Sequence, residues 1–124
     1  MPIKTTFLFL VFFISFSSFA YGNNLHKAQN LVEKGQHQKA LQIYKNLAEE
    51  GDLQAQIQLG IMCKLGRGTS RDYVLAAKWF NVAVGKGYGE GIEYKKIMEN
   101  RMTQKQITRA RKLAQEWLQE HSKI

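Results

Sequence analysis

The chain has 124 residues, with 18 Lys and Arg against ten Asp and Glu and a formal net charge of +8. That length holds one small domain, and a single cysteine, Cys63, excludes an internal disulfide framework. His26, His37 and His121 form no HxxxH pair and there is no CxxC, GxGxxG, Walker loop or HExxH, so the usual zinc, nucleotide and metalloprotease signatures are missing.

The chain opens with Met1 and Lys4, followed by Phe7–Phe16, a ten-residue run with nine apolar members. Ser18-Phe19-Ala20 puts small residues at the −3 and −1 positions of a cleavage site, so residues 1–20 are expected to be a secretory signal peptide. Ala20-Tyr21-Gly22 offers a second site. The run is short of the roughly 20 residues an ordinary membrane-spanning helix needs. The expected location is therefore exported, periplasmic or secreted, with no cysteine near the cleavage site to carry a lipoprotein anchor. Removing residues 1–20 takes six of the seven Phe and the only proline, Pro2, and lowers the net charge to +7. A remainder without proline suits a chain of helices.

Apolar spacing in residues 21–124 predicts helices at about 24–34, 37–50, 53–65, 73–84, 90–100 and 104–121. Gly35, Gly51, Gly66-Arg67-Gly68 and Gly85-Lys86-Gly87 separate them, placed where left-handed helix ends are needed. Asp52 and Asp72 stand where they can cap the helices that follow them. Thr103 and Gln106, three apart, form a capping box. In the last helix Ile107, Ala110, Leu113, Ala114, Trp117 and Leu118 recur at helical spacing, while Lys105, Arg109 and Lys112 share a stripe of the other face. A helix apolar on one side only, at the end of an array, reads as a cap.

The helical part repeats. Ala40 pairs with Ala76, Tyr44 with Phe80, Leu47 with Ala83 and Gly51 with Gly87, each offset by 36 residues. A fixed period of this size marks a solenoid of helical hairpins. The expected fold is all-α, a short α/α superhelix of about three antiparallel helical hairpins. Ala40, Ala76 and Ala83 are small where two helices pack closely, and Tyr44, Trp79 and Phe80 fill the space between hairpins.

The stretch Ala55-x3-Leu59-Gly60-x-Met62-x3-Gly66-x-Gly68-x3-Asp72-Tyr73-x2-Ala76-x2-Trp79-Phe80-x2-Ala83-x3-Gly87 resembles one complete Sel1-like repeat, a relative of the tetratricopeptide repeat. The expected division is 28–51 as a partial tetratricopeptide-like unit whose turn lacks the GxG insertion, 52–87 as the complete repeat, and 88–124 as a degenerate capping hairpin. Two departures stand out. Cys63 replaces an aromatic that the repeat usually carries, and Gly91 replaces the alanine expected one period after Ala55.

The resemblance implies an exported, non-catalytic protein–protein interaction module, an adaptor, scaffold or effector-neutralising binder. No cofactor, metal or nucleic acid is expected. In solenoids of this type the first helix of each hairpin lines the concave face, which makes Gln54, Gln58, Ile61 and Lys64 candidates, and one period on Glu90 and Tyr94. Amides with an exposed Ile and a Tyr would suit a peptide or a partner helix, whereas Ile61 and Tyr94 also read as core. Residues 95–124 carry eight Lys and Arg against three Glu. This gives the alternative, an envelope-binding protein that engages peptidoglycan or anionic lipid through Lys105, Arg109 and Lys112, against the plainer reading of a solvated helix face. Cys63 reads as core rather than as a reactive thiol, and the three histidines as surface residues. Glu49 and Glu50, adjacent on a helix, do not face one another. Fewer than three units bury little surface, so a weak homodimer is a further expectation.

Overall fold

Asp52, Asp72 and Thr103 each open a helix with a side-chain cap. The computed structural model describes residues 22–122, all of it helices and turns, and the expected signal peptide lies outside the described residues. Helix α1 occupies 22–33, and α2 (His37–Glu49), α3 (Leu53–Leu65), α4 (Tyr73–Gly85), α5 (Gly91–Glu99) and α6 (Gln104–His121) follow. Asp52 Oδ1 accepts the Ala55 N–H at 2.8 Å to open α3, and Asp72 Oδ1 accepts the Leu75 N–H at 3.0 Å to open α4. Thr103 Oγ1 accepts from Gln106 N while Gln106 Oε1 accepts from Thr103 N, so the capping box is closed in both directions. These bonds satisfy N–H groups that have no partner inside the helix.

Helices α3 and α4 pack together as a hairpin, while α1 and α2, and α5 and α6, follow one another across short turns, the last two tied by the Arg111–Glu99 ion pair. Neighbouring hairpins pack through α2 on α3, α4 on α5 and α4 on α6. The middle hairpin is therefore covered on several sides, and its residues show it. In α3 seven residues are buried, from Ala55 to Cys63, and in α4 Ala76, Ala77, Trp79, Phe80, Val82 and Ala83 are. By contrast α6 buries only Ala110, Ala114 and Trp117, one stripe of its surface.

The 36-residue phase has a packing cause. Ala40 and Ala76 are both fully buried, as are Tyr44 and Phe80 to within a few per cent, and Gly51 and Gly87 both have positive φ. The phase persists from Ala55 to Gly91 and from Met62 to Met98, all buried. It then shortens to 34 between Ala76 and Ala110, because the α5–α6 turn (100–103) lacks the long GxG loop of the α3–α4 turn (66–72).

Three glycines set how closely the hairpins approach. Phe80 lies on the backbone of α3 at Gly60, where an added Cβ would sit 2.5 Å from the ring. At Gly91 a Cβ would meet Val84 Cγ2 at 2.9 Å and the Phe80 carbonyl at 3.3 Å, so the glycine that replaces the repeat's alanine lets α5 press onto α4. Gly68, with φ +77°, presses the GxG loop against the start of α2, and a Cβ there would lie 2.7 Å from the His37 carbonyl oxygen.

Candidate functional site

The first helices of the first two hairpins, α1 and α3, flank a cleft of about 260 Å³. Leu25 and Val32 from α1 and Tyr44 from α2 supply its apolar surface. Gln29 and Glu33 from α1 and Gln54 and Gln58 from α3 supply its polar groups. Leu25, Gln29 and Val32 lie at helical spacing on one stripe of α1, as Gln54 and Gln58 do on α3. Tyr44 is 4 % exposed, and burial raises its phenol above the usual tyrosine range, so it stays a neutral hydroxyl. The arrangement offers side-chain amides for a peptide backbone and an apolar strip for one or two side chains.

Of the sequence-derived candidates, Gln54 and Gln58 line this cleft. The others lie elsewhere. Ile61 is half-buried and packs against the core, and half-buried Lys64 stands in the last turn of α3. Glu90 precedes α5 and accepts a hydrogen bond from the Tyr88 hydroxyl at 2.8 Å, which raises that phenol above its usual range. Tyr94 is half-buried and stacks on Phe80 with ring centroids 5.2 Å apart. The contribution of α1 was not singled out from sequence. Its signal was the Leu25–Gln29–Val32 stripe, which resembles an ordinary amphipathic face until the fold sets it opposite Gln54 and Gln58.

Lys105, Arg109 and Lys112 are exposed along α6. Nearby, Arg111 forks onto Glu99 through Nε and Nη2, at 3.1 and 2.9 Å, tying α6 to α5. Cys63 is free and 4 % exposed. Burial, and then the Asp72 carboxylate, push its thiol up to about 11 against an opposing pull from Lys45. Such a thiol is a poor nucleophile near neutral pH.

The histidines differ from the surface residues expected. His26 is exposed, but His37 and His121 are half-buried. His121 stacks on Trp117 at 3.7 Å, and its Nδ1 lies 2.8 Å from the Trp117 carbonyl oxygen. One helical turn separates the two residues, and the indole offers the imidazole an apolar face. Among the described residues no group of three His, Cys, Asp or Glu side chains is placed to hold a metal ion.

Two contacts join distant parts of the chain. Trp117 Nε1 donates to Glu49 Oε2 at 2.9 Å across 68 residues, linking α6 to the end of α2. Gln56, fully buried in α3, donates from Nε2 to the Ala48 carbonyl in the last turn of α2 at 3.1 Å. Trp79 meets Trp117 edge to face at 5.8 Å, and Lys86 lies over the Trp117 ring at 5.3 Å.

Paired antiparallel helices, a GxG loop docked on the preceding hairpin and aromatics filling the gaps between hairpins together decide the fold. The chain is a Sel1-like repeat solenoid. Its structure is similar to that of a protective antigen present in uropathogenic Escherichia coli strains that displays an SLR fold. The TM-score is 0.73 at 30 % identity, and the match covers 80 % of this chain and 22 % of that one. The chain thus spans about a fifth of the length of the Sel1-like protein it matches. No protein-family model and no curated protein matches it.

Proposed function

We propose that this Sel1-like solenoid is an exported, non-catalytic binding module that receives a peptide or a partner helix in the cleft between α1 and α3. The observation that carries the reading is the cleft itself. Buried Tyr44 and half-buried Leu25 and Val32 line it together with the amides of Gln29, Gln54 and Gln58 and the carboxylate of Glu33. Amides on a rigid helical frame recognise a backbone at small entropic cost, and apolar groups beside them select a side chain. The cleft is set by packing between hairpins, so it is present before the partner arrives.

The test is a pull-down from envelope extract with the tagged protein, at low and at high salt, read by mass spectrometry. The expected result is one protein retained at both salts by the wild type and lost by Gln54→Arg/Gln58→Arg, which block the cleft without entering the core. Retention of that protein by the blocked variant removes the cleft from the reading. Binding that disappears altogether in high salt removes the amide-and-apolar mode of recognition.

A further inference from the structure

The hairpin topology sorts the charges. All three first-to-second-helix turns, α1–α2, α3–α4 and α5–α6, lie on one edge of the solenoid. The edge is continuous: Gly68 of the second turn rests against His37 beside the first, and Tyr73 after the second turn lies with Gln106 beside the third. Taking each turn with one helical turn on either side, this edge holds eight Lys and Arg against Glu33, Asp72 and Glu99. Asp72 is engaged as a helix cap and Glu99 is paired with Arg111. The α2–α3 and α4–α5 turns on the opposite edge, counted the same way, hold five acids and one lysine, Lys86. Nothing in the linear order of charges shows this, because the two edges alternate along the chain.

The middle of the basic edge has a defined arrangement. Arg71 Nη1 donates to the Tyr73 hydroxyl at 3.1 Å, and its guanidinium lies 5.8 Å from that ring. Arg71 and, from the third turn, Arg101 both hold the Tyr73 phenol below its usual range. Neither arginine has a carboxylate partner among the described residues. Leu65 and Leu75, two of the three exposed large hydrophobics among the described residues, flank the same turn, at 49 % and 40 % exposure.

We propose that this edge docks on an anionic lipid surface, with arginines on headgroup phosphates and the leucines at the headgroup–acyl boundary. Cations spread over three turns fit a surface rather than a single acidic group. Apolar side chains among them are what an interface between water and hydrocarbon accommodates. Among the described residues no helix is long and apolar enough to cross a membrane. The edge differs from the α6 stripe of Lys105, Arg109 and Lys112, of which only Lys105 belongs to it. Of the edge's charged residues only Glu33 also lines the α1–α3 cleft, and none of the residues substituted below does, so either site can fail without the other.

The experiment is co-sedimentation of the full chain with vesicles of phosphatidylcholine alone and of equimolar phosphatidylcholine and phosphatidylglycerol. The neutral vesicles give the baseline for any contribution from the apolar N-terminal segment. Binding above that baseline is expected on the anionic vesicles, weakening as salt rises. Arg67→Gln/Arg71→Gln/Arg101→Gln is expected to lower it on the order of a hundredfold. Lys27→Gln/Arg109→Gln/Lys112→Gln, which removes as much charge elsewhere, is expected to keep most of it. Leu65→Ser/Leu75→Ser is expected to lose the part that survives high salt. The proposal is overturned by equal binding to both vesicles, by equal loss in the two charge variants, or by salt-resistant binding that the leucine variant leaves intact. It is also overturned if polyglutamate competes as well as anionic vesicles do, which assigns the edge to an acidic protein. Multimers that the edge variant dissolves, without vesicle binding, assign it to a second copy.

Discussion

Gly60→Ala isolates the contact that sets the distance between α3 and α4. In an exposed helix interior this exchange stabilises by about 1 kcal/mol. Here the new methyl carbon would lie 2.5 Å from Phe80 Cε1 and 2.9 Å from Cδ1 and Cζ, where ordinary contact begins at 3.4 Å. The ring has nowhere to go, being fully buried and stacked on Tyr94. Overpacking costs about 1–3 kcal/mol, and violation of three ring carbons puts this site at the upper end. After the propensity gain the net loss is ~2 kcal/mol, or ~10 °C in Tm for a domain of this size. Urea unfolding followed by circular dichroism measures it. In a Phe80→Leu background the penalty is expected to vanish, and alanine to become neutral or stabilising. A rise in Tm for Gly60→Ala alone, or the same cost in both backgrounds, would refute the close-approach argument.

Cys63 is expected to react slowly with a thiol reagent in the native state and readily once denatured, so rapid native labelling contradicts its burial. Its raised folded-state pKa also fixes a sign. Near and below the unfolded thiol's value of about 8.5 its contribution to stability is intact. That contribution is lost as pH rises toward about 11, because the unfolded chain gives up the proton first. Cys63→Ala should flatten this part of the alkaline profile; an unchanged profile counts against the assignment. Trp117→Phe and Glu49→Ala are each expected to cost about 1.5 kcal/mol, since the charge-assisted bond between α2 and α6 is lost either way. A double-mutant cycle should show coupling between them, and strictly additive losses would mean that the bond contributes nothing in solution.

Local chemistry settled much of the fold. Asp52, Asp72 and the Thr103–Gln106 box are read in the sequence because a cap bonds three residues away, within a short stretch of chain. The 36-residue phase is equally legible, since Ala40, Tyr44 and Leu47 meet the same packing demand as Ala76, Phe80 and Ala83. Gln54 and Gln58 were legible as a polar stripe on an inner helix for the same reason. The cleft they line was only half visible, because Leu25, Gln29, Val32 and Tyr44 join them across a hairpin boundary.

By itself, then, the sequence determined the helices, their ends and their order, because hydrophobic period, caps and glycine turns act within a few residues. It also determined that Cys63 would serve as core, from its place in the repeat. Only the tertiary structure decided the rest. It turned Glu49 from an ordinary helical carboxylate into the partner of Trp117, and spent Tyr94 on Phe80. It also gathered cations from three separate turns onto one edge. Each of these joins residues far apart in the chain, and a one-dimensional pattern carries no distance between such residues until hairpin packing fixes it.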